Sequence, residues 1–233
     1  MNAFTEYNRT SFFGRPFDEL LGCFGLTVDS LRGQRVLDCP AGPSSFVSEA
    51  NDRGIDTVGV DPLYYRSPAA LERLARSDFS DMFARVRSKP EFFVPKTYPS
   101  IDAAETVREV ALDRFFDDYR KRYPSGKYVA AELPELPFED GSFDVALCGH
   151  LLFLYSSQFD YAFFKAAIRE LLRVARNEIR IHPIVDSSGQ PYGRLDDLRS
   201  ELRREGFDSE IIDVPHEFFR GISRTLAICS NSE

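Results

Sequence analysis

The chain has 233 residues, of which 43% are hydrophobic and 28% charged, and this length suits one domain with an elaboration better than two full domains. The formal net charge of -8 disfavours a protein whose main task is to bind nucleic acid, because phosphate binding rests on basic surface. The sequence contains neither an apolar run long enough to span a membrane nor, at its N-terminus, the basic and apolar regions of a secretory signal. We therefore expect a cytoplasmic protein.

The first elements predict a short helix followed by a strand-helix-strand unit. Pro16 stands in the first turn of the helix and Gly25 just past its end. The segments 35–39 and 56–61 are short, apolar and β-branched, which predicts two strands. Between them, serines at the start and Gly54 at the end indicate a helix. The expected geometry is a right-handed parallel crossover.

Residues 64–126 predict two helices joined by an irregular strap, "KPEFFVPKTYPS". Ser67 and Pro68 begin the first helix as its cap and first residue. An insertion of this length exceeds what a crossover needs, so we expect a helical lid within one domain that spans residues 1–233. Residues 64–127 carry 13 Lys and Arg against 10 Asp and Glu, and a solvated helical surface explains this balance more readily than attraction of an acidic substrate.

The second inserted helix predicts one apolar face that packs onto the domain. The residues at helical spacing on this face are Ala104, Val107, Val110, Ala111, Phe115 and Tyr119.

Five more strands follow, and two helices alternate with them. The strands are predicted at 127–132, 142–149, 178–184, 209–214 and 223–229, and the helices near 164–175 and 194–206. Seven strands that alternate with helices predict an α/β sheet, doubly wound, with helices on both faces and a helical insertion after the second strand.

The turn after the first strand, "VLDCPAGPSSF" at 36–46, is the expected ligand cradle of such a sheet. A dinucleotide fingerprint needs three glycines, but Gly42 is the only glycine between Cys39 and Phe46, and a Walker lysine is absent. These features disfavour a nicotinamide-dependent oxidoreductase and favour a ligand without phosphates.

Three stretches resemble motifs of the class I S-adenosylmethionine-dependent methyltransferases. "VLDCPAGPSS" resembles motif I, with Asp38 in the acidic place, Gly42 as the central glycine, and Pro40 and Ser44 instead of the outer glycines. "VGVDPLYY" resembles the second-strand motif, and "AAELPELPFEDGSFDVALCGHLLFLY" resembles the most specific pattern. The resemblance implies a Rossmann-like, mostly parallel sheet in a bacterial-type subgroup with a degenerate motif I.

The same resemblance implies that the cofactor is S-adenosylmethionine, with S-adenosylhomocysteine as product. Asp61 would accept hydrogen bonds from the ribose hydroxyls, Glu132 would receive the adenine amino group, and Leu133 would offer the neighbouring N–H. The cofactor-binding residues that it implies are Asp38, Pro40, Ala41, Gly42, Ser44, Ser45, Asp61, Pro62, Leu63, Glu132, Leu133, Cys148 and Gly149.

Methyl transfer from a sulfonium needs alignment first, and a general base only if the acceptor must lose a proton. His150 is the best candidate base, and His182 and His216 also lie near predicted strand ends. The three histidines have no metal-ligand spacing, so we expect no metal. The segment "CGHLLFLY" departs from the N/D-P-P-Y pattern of enzymes that methylate nucleic-acid bases.

The favoured interpretation is therefore a methyltransferase that acts on a small molecule, with the inserted helices over the acceptor. The acceptor atom, O, N, C or S, stays open. The alternative is a non-catalytic binding or regulatory protein on the same fold.

Overall fold

The computed structural model describes residues 10–123 and 125–230. The expectation of no secretory signal depends partly on residues 1–9, which lie outside the described residues. The strands are β1 (Arg35–Asp38), β2 (Asp56–Val60), β3 (Tyr128–Val129), β4 (Phe143–Gly149), β5 (Ala175–His182), β6 (Phe207–Asp213) and β7 (Arg224–Ser230). The α-helices are α1 (Phe17–Phe24), α2 (Val28–Leu31), α3 (Phe46–Asp52), α4 (Pro68–Ser88), α5 (Ile101–Arg122), α6 (Tyr161–Val174) and α7 (Leu195–Arg204).

The strands form one sheet in the order β3-β2-β1-β4-β5-β7-β6. Strands β1 to β5 pair in parallel, and β7 runs antiparallel to both β5 and β6. This topology confirms the prediction of a mostly parallel α/β sheet with seven strands. Strand β3 is shorter than the predicted 127–132, because the chain after it leaves the sheet and turns, with the Glu135 N–H donating to the Glu132 carbonyl over 3.1 Å.

Helices cover both faces of the sheet, as alternate residues of a strand show. Val36 and Leu147 pack with α1 and α3, whereas Leu37 and Cys148 pack with α6 and α7. Because successive side chains of a strand point to opposite faces, the central strands β1 and β4 are buried on both sides. The core is thus a three-layer helix-sheet-helix arrangement.

The insertion after β2 forms α4 and α5, which pack against one another and over α3 and β3. The predicted apolar face of α5 is correct at four positions but wrong at Val107 and Val110, which are 43% and 64% exposed. Arg108 and Leu112 are buried in their place. The buried stripe of α5 is therefore shifted around the helix, so that an arginine enters it.

None of the helices within the described residues is long and apolar enough to cross a membrane.

Candidate functional site

A cavity of about 780 Å³ lies at the carboxyl ends of the parallel strands. Asp38 ends β1, Asp61 follows β2, Gly149 ends β4 and His182 ends β5, and all four residues line the cavity. Open α/β sheets bind ligands at this edge. Ligand sites usually measure about 300–1,000 Å³, so this cavity has room for more than one small molecule.

Serine hydroxyls fasten the turn after β1 to the chain segment before α1. The Ser44 hydroxyl donates to the Arg15 carbonyl over 2.9 Å and accepts from the Phe46 N–H over 3.1 Å. The Ser45 hydroxyl accepts from the Phe17 N–H over 3.1 Å. Ser44 therefore also satisfies an N–H at the start of α3, which supports the expected capping role. The turn keeps its shape without the outer glycines because these bonds hold it.

Residues 10–15, which we call the N-terminal arm, run close to the same turn. A Cβ on Gly14 would lie 1.9 Å from the Pro43 carbonyl oxygen, so only glycine fits there. Gly42 has φ of 55° and its carbonyl accepts from the Tyr64 hydroxyl over 2.6 Å. The arm residues that line the cavity are Thr10, Ser11, Phe12, Phe13 and Arg15.

Asp61 is buried beside the turn and joins it to the end of β2. Its Oδ1 accepts from the Leu63 N–H over 2.9 Å, and its Oδ2 accepts from the Gly42 N–H over 3.2 Å. Burial raises the pKa of Asp61 to about 6, while the two backbone hydrogen bonds oppose the rise. Each carboxylate oxygen can accept at least one further hydrogen bond, so the residue suits a ligand with two neighbouring hydroxyls.

Asp38 is 2% exposed, and its Oδ2 atom has no hydrogen-bond partner among the residues that the structure describes. Burial, and secondarily the charge of Asp61, raise the pKa of Asp38 to about 8. Without a ligand this carboxyl therefore keeps its proton near neutral pH, and a ligand that brings an N–H or a positive charge to Oδ2 would favour its ionised form.

Glu132 is the third carboxylate at this edge, and it differs from the two aspartates because it is exposed. It follows β3, lines the cavity with Ala131 and Leu133, and forms an isolated bridge with Glu135. The three acidic residues lie at the carboxyl ends of three adjacent strands, β3, β2 and β1, and form one end of the cavity.

His150 follows β4 and lies on the cavity wall. Its φ of 56° is left-handed, which is uncommon for a residue other than glycine, and its N–H donates to the His182 carbonyl over 2.6 Å. Burial, and then the charge of Arg15, hold the pKa of His150 well below its usual range, so its ring is neutral. Its Nδ1 atom is buried without a hydrogen-bond partner in the described part of the chain.

His182 has a tautomer that its neighbours define. Its Nδ1 lies 2.9 Å from the Thr225 hydroxyl oxygen, and that hydroxyl donates its own hydrogen to the Cys23 carbonyl over 2.6 Å. The Thr225 oxygen therefore accepts from a protonated Nδ1, and Nε2 carries the lone pair. Burial lowers the pKa of His182 to about 3, and Nε2 has no partner among the described residues.

A buried ion cluster, which we call the Glu19 clasp, lines another part of the cavity. Arg108 donates two hydrogen bonds to the Glu19 carboxylate, over 2.9 and 2.7 Å, and Arg15 lies 3.3 Å from it. The Tyr98 hydroxyl donates to Glu19 over 2.7 Å, and His216 Nε2 lies 3.6 Å away. Motifs and strand ends do not reveal this cluster, and its one signal in the sequence is a glutamate and an arginine on the buried faces of two helices.

The insertion forms a further wall of the cavity. Its strap is tied to the loop between β6 and β7, because the Val94 N–H donates to the Phe218 carbonyl and the Arg220 N–H donates to the Phe92 carbonyl, over 3.0 and 2.9 Å. The insertion residues that line this wall include Leu74, Met82, Arg85, Val86, Lys89, Phe92 and Arg108.

A family model described as a methyltransferase domain matches residues 91–179. The uncharacterized protein MJ0045 of Methanocaldococcus jannaschii is 30% identical over 220 residues, which cover 94% of this chain and 96% of that protein. The chain belongs to the class I S-adenosylmethionine-dependent methyltransferase family. The matched segment contains the "LPF" and "SFD" stretches but not the turn after β1, so the altered motif I falls outside the family model's match.

A solved methyltransferase has a similar fold. The 1,6-didemethyltoxoflavin-N1-methyltransferase of Burkholderia thailandensis, with bound 1,6-didemethyltoxoflavin and S-adenosylhomocysteine, has a TM-score of 0.53 at 13% identity, over 93% of this chain and 80% of that one. The magnesium protoporphyrin IX methyltransferase of Synechocystis PCC 6803, with bound S-adenosylmethionine, has a TM-score of 0.46 at 14% identity, over 87% and 73% of the two chains.

Most of the residues that the methyltransferase motifs imply lie on the cavity wall. They are Asp38, Pro40, Ala41, Gly42, Ser44, Asp61, Pro62, Leu63, Glu132, Leu133 and Gly149, joined by His150. Two others lie behind the wall. The Ser45 side chain binds backbone and the Glu49 carboxylate, and Cys148 packs in the core between the sheet and α6. Their side chains support the methyltransferase cavity from behind.

Two groups of possible metal donors occur in the described part of this methyltransferase, Cys23 with His150 and His182, and Glu19 with Cys23 and His216. In each group the donor atoms lie within 4.8 Å of one another. Burial raises the pKa of the Cys23 thiol, so it is protonated and a poor ligand. Glu19 is already bound by Arg108. Neither group has the open, deprotonated donor set that a metal requires.

Proposed function

We propose that the protein transfers a methyl group from S-adenosylmethionine to a small-molecule acceptor. The observation that carries this proposal is the set of three carboxylates, Asp38, Asp61 and Glu132, which follow three adjacent strands and line one cavity. The cofactor has two ribose hydroxyls, two amino groups and a cationic sulfonium, which are donors and positive charge that suit such an acidic end. The S-adenosylhomocysteine bound in the Burkholderia thailandensis methyltransferase of similar fold gives further support.

The residues fit the cofactor in chemical detail. Asp61 has spare acceptor capacity on both oxygens for hydroxyls, and the unpartnered Oδ2 of Asp38 suits the ammonium group or a bridging donor. Glu132 and the Leu133 N–H would hold the adenine. When bound, the cofactor supplies a methyl group on a sulfur that leaves as a neutral thioether.

The chain's own residues would then align the acceptor and remove its proton if it carries one. His150 is neutral, lines the cavity and has a buried ring nitrogen without a partner, so it can accept a proton from an acceptor hydroxyl or ammonium. His182 lies next to it with ring centroids 5.2 Å apart and offers a second lone pair at Nε2. We assign His150 as the candidate general base.

We propose that residues 64–126 cover the acceptor side of the cavity. The insertion would belong to a single methyltransferase domain, in a cytoplasmic protein. Support comes from the apolar side chains that the insertion contributes to the cavity, Leu74, Met82 and Val86. A cavity of about 780 Å³ favours catalysis over cofactor binding alone, because it leaves room for an acceptor. The net charge of -8 disfavours a nucleic-acid acceptor.

Calorimetric titration of the purified chain with S-adenosylmethionine tests the proposal, with NAD as a second titrant. We expect micromolar binding of the first and none of the second. Asp61→Asn should weaken binding at least ten-fold, about 1.4 kcal/mol, because the amide loses the charge and one acceptor oxygen. Asp29→Asn, at a side chain that is 84% exposed, is the matched control and should bind like wild type.

Folding of each variant is checked by thermal melting. A folded wild type that does not bind S-adenosylmethionine, or an Asp61→Asn variant that binds equally well, would contradict the assigned cofactor site. Once an acceptor is found, formation of S-adenosylhomocysteine separates an enzyme from a binding protein.

A further inference from the structure

Acidic and basic side chains on the cavity wall come from different elements of the fold. The strand ends carry Asp38, Asp61 and Glu132, whereas the Glu19 clasp and the insertion contribute the cations. The cationic side chains that line the cavity are Arg15, Arg66, Arg85, Lys89 and Arg108, and two of them, Arg15 and Arg108, share the Glu19 carboxylate. This excess of cations stands out in a chain whose formal net charge is -8.

The Glu19 clasp has an uncompensated positive charge. Two guanidinium groups, of Arg15 and Arg108, share the single Glu19 carboxylate, and neither makes another ion pair with a described residue. Burial lowers the pKa of His216 to about 4, so this residue adds no charge near neutral pH. A buried charge without a partner is unfavourable, so the clasp favours an incoming anion.

Arg15 is the group of the clasp with donors to spare. Its Nε lies 3.3 Å from Glu19, and its two Nη atoms make no hydrogen bond to any described residue, although the residue lines the cavity. Arg108, by contrast, is fixed by its two bonds to Glu19 and by the Phe218 ring, 3.9 Å from its guanidinium carbon. Arg108 thus holds the carboxylate in place while Arg15 can turn a donor edge to a ligand.

The two charged ends do not neutralise each other. Within the described residues, Arg15 and Arg108 form ion pairs with Glu19 and none with Asp38 or Asp61. A cationic cofactor and an anionic second ligand could therefore bind side by side. Each would lie next to protein groups of the opposite charge.

The surface next to Arg15 is apolar and aromatic. The guanidinium carbon lies 5.5 Å from the Phe13 ring centroid, and Phe92, Phe218 and Phe219 line the same part of the cavity. Rings at such a wall bind a flat apolar body, and a neighbouring guanidinium binds an anionic oxygen group.

We propose that the methyl acceptor is a small molecule with an apolar, ring-sized body and one anionic oxygen group, a carboxylate or a phosphate, which Arg15 binds. The role of this ligand as methyl acceptor rests on the proposed function. The preference of the cavity for an anionic, ring-sized ligand does not depend on it. Arg15 and His150 line the same cavity, so an acceptor bound by Arg15 would share that cavity with the candidate base, whose ring feels the positive charge of Arg15. A bound anion would offset this charge and make His150 a stronger base.

Two fluorescent probes with the same aromatic skeleton test the preference, the anion 8-anilinonaphthalene-1-sulfonate and the neutral N-phenyl-1-naphthylamine. Each is titrated into the full chain, with and without saturating S-adenosylhomocysteine. We expect Arg15→Gln to weaken the anion at least ten-fold and the neutral probe less than two-fold. Arg15→Lys should keep most of the anion affinity. Arg32→Gln, at a side chain that is 75% exposed, is the control and should change neither affinity.

Equal weakening of both probes by Arg15→Gln, or no weakening of the anion, would overturn the inference. A measurement on the wild type does not depend on the variant's folding: benzoate and phenyl phosphate should displace the anionic probe at concentrations at least ten-fold lower than benzamide. The more potent of the two identifies the anionic group, and equal potency of benzamide would refute the preference. Titration with S-adenosylmethionine decides the proposed function separately.

Discussion

At the scale of single residues, the cavity has an acidic end with Asp38, Asp61 and Glu132 and a basic end with Arg15 and Arg108. Asp38, Asp61 and Glu132 could be found because each stands at a fixed place relative to a predicted strand. Arg15 and Glu19 had no such reference, since only the folded chain brings them to Arg108. Glu19 had one local signal, a charge at a position of α1 that helical spacing makes buried, and Arg15 lies outside any helix and had none.

The raised pKa of Asp38 predicts how stability depends on pH. In the folded protein this carboxyl keeps its proton up to about pH 8, whereas in the unfolded chain it ionises near pH 4. The folded state therefore binds more protons over this range, and Asp38 lowers stability progressively as pH rises. Asp61, with a pKa of about 6, contributes in the same direction at lower pH.

Between pH 6.5 and 7.5, we expect the stability advantage of Asp38→Asn over the ligand-free wild type to grow by about 1 kcal/mol. Denaturant unfolding at both pH values measures this difference. Asp29→Asn, at an exposed side chain, should show a difference from wild type that does not change with pH. Parallel curves for wild type and Asp38→Asn would mean that Asp38 is ionised throughout.

At the scale of elements, the predicted helices and strands are confirmed, with differences in length and face. Gly25 ends α1 with φ of 63°, as its position suggested. The face of α5 was misjudged because Val107 and Val110 fit an apolar stripe as well as Leu112 does, and only contact with α3 and α4 selects between them. The turn after β1 was recognisable, but its partner, the N-terminal arm, was not, because no local pattern links two segments so far apart.

The close contact between the arm and the turn predicts the effect of Gly14→Ala. The added methyl would lie 1.9 Å from the Pro43 carbonyl oxygen, so the arm or the turn must shift. We expect a loss of about 1–3 kcal/mol in unfolding free energy and weaker binding of S-adenosylmethionine. Gly193→Ala is the matched control, since no described atom lies within 4 Å of its added Cβ. Calorimetry and urea unfolding measure both effects, and equal behaviour of the two variants would exclude the arm as a support of the turn.

At the scale of the whole molecule, the alternation of strands and helices was enough to predict the sheet, since parallel strands need crossovers. No local sequence pattern indicates the order of the strands or the antiparallel direction of β7. Only the folded chain shows them. The Glu19 clasp works at this scale too, because it joins α1, α5, the strap at Tyr98 and the loop at His216.

Glu19→Gln tests how much the clasp stabilises the molecule. The amide cannot neutralise Arg15 and Arg108, so two buried guanidinium groups lose their counter-charge. We expect a loss of about 3–5 kcal/mol in unfolding free energy, measured by urea unfolding. Glu205→Gln removes a partly exposed ion pair with Arg169 and should cost at most about 1 kcal/mol. A loss for Glu19→Gln no greater than that of the control would show that the clasp is not a stabilising tie.

The clasp also sets an order of events during synthesis. Glu19 is made 79 residues before Tyr98 and 89 residues before Arg108, the groups that satisfy its carboxylate. Until they emerge, Glu19 has only Arg15 as a counter-charge, and burying its carboxylate without hydrogen-bond donors is unfavourable. The sheet's first strands can pair while α1 is still unattached. The wall that carries Arg15 is therefore completed late, and the nascent chain acquires its cavity only after α5 has been made.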